Sequence, residues 1–201
     1  MEIDYLMQIG SVKAKGKDYI KGSKSASNIE IKLTDGTIQK VKAYVFGHDI
    51  YSCLESGNRW KCGKQQLEVS LSRDAQIDVF DGLFKKGAII FGRDVVEKTI
   101  NNITCKEVLW SADISRLSQE EKYFAVSASG IASNSDIDQL SSNLKSFGMA
   151  QCVTNQGVEI LQDITAEADT NKINSKIEVT SFKINQPIDD NVFAVPDGSI
   201  N

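Results

Sequence analysis

The clearest alternation of apolar and polar positions lies between Thr37 and Lys64. Ile-Gln-Lys-Val-Lys-Ala-Tyr-Val-Phe leads through Gly47-His48 into Asp-Ile-Tyr-Ser-Cys-Leu-Glu-Ser, and Gly57-Asn58 leads into Arg-Trp-Lys-Cys. Side chains of a strand alternate between two faces, and a two-residue loop sets the register of a hairpin. With loops at Gly47-His48 and Gly57-Asn58, Tyr44 opposes Tyr51, Val45 opposes Ile50, Glu55 opposes Trp60, and Cys53 opposes Cys62. One face then carries Val41, Ala43, Val45, Ile50 and Leu54. The other carries Tyr44, Phe46, Tyr51, Trp60 and the two cysteines. Neither face is polar, which predicts a sheet covered on both sides or curled around something.

Upstream, Ile3 to about Val12 alternates weakly. The runs Asp18-Tyr19-Ile20 and 28–33 are short and apolar, split by Gly, Ser and Asp35-Gly36. Short runs between turn signals predict a continuous antiparallel meander over residues 1–66. Downstream the period changes. Leu67, Leu71, Ile77, Phe80 and Phe84 fall near helical spacing before Gly87, predicting a helix within 72–86. Residues 95–100 and 103–110 are rich in β-branched side chains around Asn101-Asn102, which tolerates left-handed turn geometry, so a second hairpin is expected. Ser118-Gln-Glu-Glu121 has the capping-box pattern and predicts a short helix over 119–128, ended by Gly130. Ile137, Leu140, Leu144 and Phe147 form one helical stripe before Gly148, with Ser133 or Ser135 as its cap. Strand character returns at 149–153, 158–165 and 173–184.

Length favours one domain spanning 1–201, since neither a repeat nor a Pro/Gly/Ser linker divides the chain. Net charge is −4 and the pI about 5.1, so there is no global field for phosphates and no nucleic-acid partner is expected. Lys13, Lys15, Lys17, Lys21 and Lys24 form a local basic run, read as a solvated sheet edge in preference to a lipid-headgroup site. No apolar run reaches the ~18 residues of a membrane span, and the opening is not a signal peptide, so a signal or anchor is expected outside this sequence.

Four cysteines admit three pairings. Hairpin register selects Cys53 with Cys62, which leaves Cys105 with Cys152. Disulfides imply an oxidising compartment. His48, the only histidine, sits in a predicted tight turn, where no buried partner would orient it, so no catalytic residue is assigned and the chain is read as a non-enzyme. The cysteines are too widely spaced for zinc, and Asp163, Glu167, Asp169, Asp189 and Asp190 lack the spacing of a calcium loop, so neither a metal nor a cofactor is expected. The aromatic set Tyr44, Phe46, Tyr51, Trp60, Phe80, Phe84, Trp110 and Phe182 is the candidate lining of a ligand cavity.

The ending Val-Thr-Ser-Phe-Lys-Ile-Asn185, followed by Ile188-Asp-Asp-Asn-Val-Phe-Ala-Val-Pro196, resembles the C-terminus of LolA-like proteins, the lipoprotein-carrier superfamily. There a last strand precedes a short closing segment of aspartate, phenylalanine and proline. The Ile50-Tyr51 to Arg59-Trp60 hairpin is similar to the central hairpin of that group. The resemblance implies an α+β fold, a curved, incompletely closed antiparallel half-barrel with helices packed on its concave face. It also implies an extracytoplasmic location and a hydrophobic cavity for acyl chains. The expected function is therefore a non-enzymatic binding domain for a hydrophobic or lipidated ligand, with a lipid or lipidated protein as partner and peripheral contact with a membrane. The alternative is a structural or protein-interaction ectodomain with a packed core and no ligand.

Overall fold

A computed structural model describes residues 1–66, 82–92, 94–128, 134–169 and 171–197. Twelve strands run through them: β1 Glu2–Ile9, β2 Val12–Lys21, β3 Lys24–Lys32, β4 Ile38–Phe46, β5 Asp49–Ser56, β6 Arg59–Gln66, β7 Ile89–Phe91, β8 Val96–Ile100, β9 Ile103–Ala112, β10 Leu144–Val153, β11 Glu159–Ala168 and β12 Asn171–Lys183. The α-helices with both ends described are α1, Gln119–Ala128, and α2, Asn134–Ser142. The chain divides into two compact units. The first holds described residues 1–6, 12–66 and 179–197, and the second 7–11, 82–92, 94–128, 134–169 and 171–178.

In the first unit the strand order is β6-β5-β4-β3-β2-β1-β12. This is the expected meander, and its register follows the turn chemistry. Gly47 and Gly57 take positive φ at the two tight turns, Tyr44 pairs with Tyr51, and Cys53 pairs with Cys62. Gly10 and Gly22, also at positive φ, close the turns flanking β2. That strand holds Lys13, Lys15, Lys17 and Lys21 of the lysine run, and Lys24 opens β3, which corrects the edge reading. β2 lies between β1 and β3, and its lysines are solvated on one face, where they make cross-strand ion pairs. Lys15 Nζ lies 2.8 Å from Glu30 and Lys17 Nζ 2.8 Å from Glu2.

In the second unit the order is β1-β12-β11-β10-β9-β7, with β8 also on β9. Asn101 and Asn102 both have positive φ, the geometry of the β8–β9 turn. The helical residues 82–85 end in a Schellman motif, with Gly87 at φ 66°, its N–H donating to Phe84 O and Ala88 N–H to Leu83 O. The rest of the helix expected over 72–86 lies outside the described residues, as do Leu67, Leu71, Ile77, Phe80, Gly130 and Ser133.

The capping box forms. Ser118 N–H donates to Glu121 Oε2 at 2.8 Å, and Glu121 N–H to Ser118 Oγ at 3.2 Å. Ser118→Ala should cost about 1 kcal/mol and lower the melting temperature by about 2–4 °C in a calorimetric scan. Val126 of α1 with Ile137 and Leu140 of α2 packs on Phe147, Met149, Ile164 and Ala166 of β10 and β11.

Two further expectations are overturned. The α+β class with helices packed on a concave face fails, because strands dominate the described residues and the helices, of ten and nine residues, cover only the core of the second unit. The protein is mostly antiparallel β, and the sheet is unclosed, with β6 pairing only to β5. The stripe Ile137, Leu140, Leu144, Phe147 also does not continue as helix. Ser141 and Ser142 hydroxyls donate back to Asp138 O, the competition that weakens a helix end, and Leu144 and Phe147 enter β10.

Candidate functional site

In the first unit, β3 to β6 build a cluster on the face that carries the disulfide. Ala26, Tyr44, Cys53, Cys62 and Phe193 are buried together, with Tyr19, Phe46, Tyr51, Trp60, Ile188, Val192 and Val195 packed around them. Alternation places Tyr44 and Phe46 two residues apart, and their rings lie 6.1 Å apart. The closing segment supplies the cover. Asp189 caps a 3-10 helix, Asp190–Phe193, by accepting from Asn191 N–H at 2.9 Å, and Phe193 descends onto the cluster. Lys21 Nζ holds Asp190 at 2.8 Å. Cys53 and Cys62 are joined with Cα atoms 4.0 Å apart, as the hairpin register requires.

The opposite face of the same sheet is different. Ile20, Ile29, Ile31, Val41, Ala43, Val45 and Ile50 alternate onto it, all of them half-buried, and Leu54 at its margin is exposed. Within this face, in phase with Ala14, Gly16 and Ile20, stands Asp18. The Tyr5 and Ser27 hydroxyls lie beside it, and Oδ1 is buried without a hydrogen-bond partner. Burial raises its pKa and the two hydroxyls oppose that. Tyr5 lies across Gly16, where a Cβ would overlap its ring, and burial followed by the Asp18 charge raises the phenol pKa. A charged residue in phase with an apolar row was the signal for this cluster, which sequence reasoning missed.

A group whose folded pKa is raised stabilises the fold fully below its unfolded pKa and loses that contribution as pH rises through the folded value. Wild type should therefore lose stability from about pH 4 upward relative to Asp18→Asn. Melting temperatures of both proteins across pH 3–7 check this, with the difference moving steadily in favour of the variant.

An open depression of about 330 Å³ lies on the charged side of β1 to β3, lined by residues including Asp4, Leu6, Lys15, Lys17 and Glu30. Its charges are paired, Lys17 Nζ lying 3.2 Å from Asp4, and none of the eight candidate aromatics lines it.

In the second unit Cys105 and Cys152 join β9 to β10, with Cα atoms 5.5 Å apart. On the other face of these strands Trp110 Nε1–H donates to Gln151 Oε1 at 2.9 Å, and Gln151 Nε2–H donates to Glu159 Oε1 at 2.8 Å. Burial raises the Glu159 pKa and the Gln151 bond opposes it. This relay was also missed, since its members are 41 and 8 residues apart and only the register of the returning strands aligns them.

The eight candidate aromatics are thus dispersed. Tyr44, Phe46, Tyr51 and Trp60 gather against the closing segment, and Phe182 is half-buried in the same unit. In the second unit Trp110 packs on Phe147 at 5.6 Å, while Phe84 is exposed beside Phe91. Phe80 lies outside the described residues. His48 stands in an exposed turn. Among the described residues no group of three His, Cys, Asp or Glu is placed to hold a metal. The acidic residues singled out above are partly engaged in ion pairs, Asp169 with Lys145 at 2.9 Å and Glu167 with Lys172 at 3.1 Å. No described helix is long and apolar enough to cross a membrane. Two disulfides point to an extracytoplasmic location.

No family model matches the chain, and no curated protein matches it. Among solved structures it is similar to the crystal structure of LprF from Mycobacterium bovis, with 9% sequence identity and a TM-score of 0.42, over 89% of this chain and 83% of that one.

Proposed function

We propose that the protein is an extracytoplasmic, non-enzymatic binding domain for a hydrophobic or lipidated ligand. The observation that carries this is the half-buried apolar face of β2 to β5. Seven aliphatic side chains from Ile20 to Ile50 share this face with the small hydroxyls of Ser25, Ser27 and Ser52, and none of the seven is fully buried. The aromatic face opposite is filled by Phe193 and its neighbours, so the aliphatic face is the one that offers area to a ligand. A surface of this kind recognises acyl chains by contact area and has no need of directional polar groups.

Native mass spectrometry of protein purified from its own host tests the proposal. A co-purified lipid is expected, and Ile31→Asp with Val45→Asp should remove it while the circular dichroism spectrum is retained. Protein that carries no lipid and takes none up from detergent-free lipid dispersions would overturn the proposal in favour of an interaction ectodomain with a packed core.

A further inference from the structure

Twelve large hydrophobic residues are exposed among the described residues, and six of them, Phe84, Ile90, Phe91, Val95, Val96 and Leu109, belong to one margin of the second unit. Scattered exposed hydrophobics need no explanation, but a contiguous set does. Contiguity follows from pairing. Ile90 pairs with Ser111 and Val96 with Glu107, which puts Ile90, Leu109 and Val96 in one row on a single face of β9. Phe91 pairs with Trp110 and so belongs to the other face, where its ring lies 5.9 Å from that of Phe84. Gly92 binds the two sides together. Its N–H donates to Leu109 O at 2.6 Å, and a Cβ there would come within 3.0 Å of Leu109 Cβ.

The margin therefore exposes apolar side chains on both faces of an edge strand, with the Lys98–Glu107 ion pair beside Val96 on one of them. We propose that this edge is a wedge that seats in the interfacial layer of a lipid bilayer. Two considerations favour a bilayer over a second copy of the chain. A folded partner would have to wrap both faces, whereas acyl chains surround an edge from every side. Half-exposed side chains of this size present roughly 80–100 Å² each, on the order of 500 Å² in all, short of the ~800 Å² per partner of a standard stable interface. The charges of these segments are mixed, with Lys85, Lys86, Arg93, Lys98 and Lys106 alongside Asp94, Glu97, Glu107 and Glu121, so the sequence presents no strong field of one sign. Lys98 already pairs with Glu107 at 2.6 Å. Without a strong field of one sign the seat has little preference for headgroup charge, and an area this small makes binding reversible, as for a single weak anchor.

The inference stands apart from the ligand face of the first unit, and the two can fail separately. Flotation of the purified protein with vesicles of phosphatidylcholine, alone and mixed with phosphatidylglycerol, reads it. Weak binding is expected to both, equal within about twofold and insensitive to salt. Ile90→Glu with Leu109→Glu should lower the bound fraction about tenfold, while Ile38→Glu, at an exposed position of the first unit away from its ligand face, leaves it unchanged. Should the double variant misfold, Phe84→Trp and Ile90→Trp probe the two faces separately, and brominated lipid should quench both. Absence of vesicle binding, binding only to anionic vesicles, quenching on one face alone, or dimerisation abolished by the double variant would each overturn the wedge.

Discussion

Replacing Cys105 and Cys152 together by serine should lower the melting temperature by about 8–16 °C, more than the 5–12 °C expected from replacing Cys53 and Cys62. Both bonds restrict the unfolded chain, and the restriction grows with the loop closed. The first bond spans 47 residues and the second 9. In the chain-entropy account these loops contribute about 4 and about 2.7 kcal/mol. Burial does not alter the order, because all four cysteines are at most 4% exposed and serine would leave a hydroxyl in place of an apolar sulfur at either bond. Parallel calorimetric scans of the two double variants check the order. Equal melting temperatures would mean that the unfolded chain is not the state these bonds act on.

The parts of this fold that were legible from residues are those where a turn dictates register. Gly57-Asn58, Gly47-His48 and Asn101-Asn102 each set a compact loop, and pairing propagates outward from it, so strand faces and the Cys53–Cys62 bond follow from local chemistry, and the Cys105–Cys152 bond follows by elimination. The boundary between α2 and β10 was not legible in the same way. Leu144 and Phe147 satisfy a helical period as well as a strand with a bulge, and the register shift between Leu144 and Ser146 is the device that reconciles them. β2 was obscured by its lysines, which sit in an interior strand because their ammonium groups reach carboxylates on β1 and β3. The polar clusters were hidden for another reason. Asp18 stands in phase with an apolar row, but its neighbour Tyr5, like the Glu159 that ends the relay from Trp110, is brought into place only by the register of the folded strands.

The closing segment shows how a short motif acts through a distant partner. Asp189-Asp190-Asn191-Val192-Phe193 is too short to hold a 3-10 helix in isolation, and the cap from Asp189 is worth about 1 kcal/mol. The main anchor is Phe193, 6% exposed among Tyr44, Ala26 and the Cys53–Cys62 bond. Phe193→Ala should therefore cost about 3–5 kcal/mol, from lost transfer energy plus the cavity left behind. Its effect should also be local in a way that a general loss of stability is not. With the anchor gone, the pairing of Lys21 to Asp190 and the contact of Cys62 Sγ with Pro196 O have little to hold them, since the ion pair is exposed. Amide exchange at Asn191, Val192 and Ala194 should then accelerate far more than exchange in the second unit, and limited proteolysis should cut within 186–197 before any other described segment. Asp189→Ala, which removes the cap and leaves the ring, should accelerate the same amides by a much smaller factor. Uniform acceleration across both units would show that Phe193 contributes to global stability without fastening the segment.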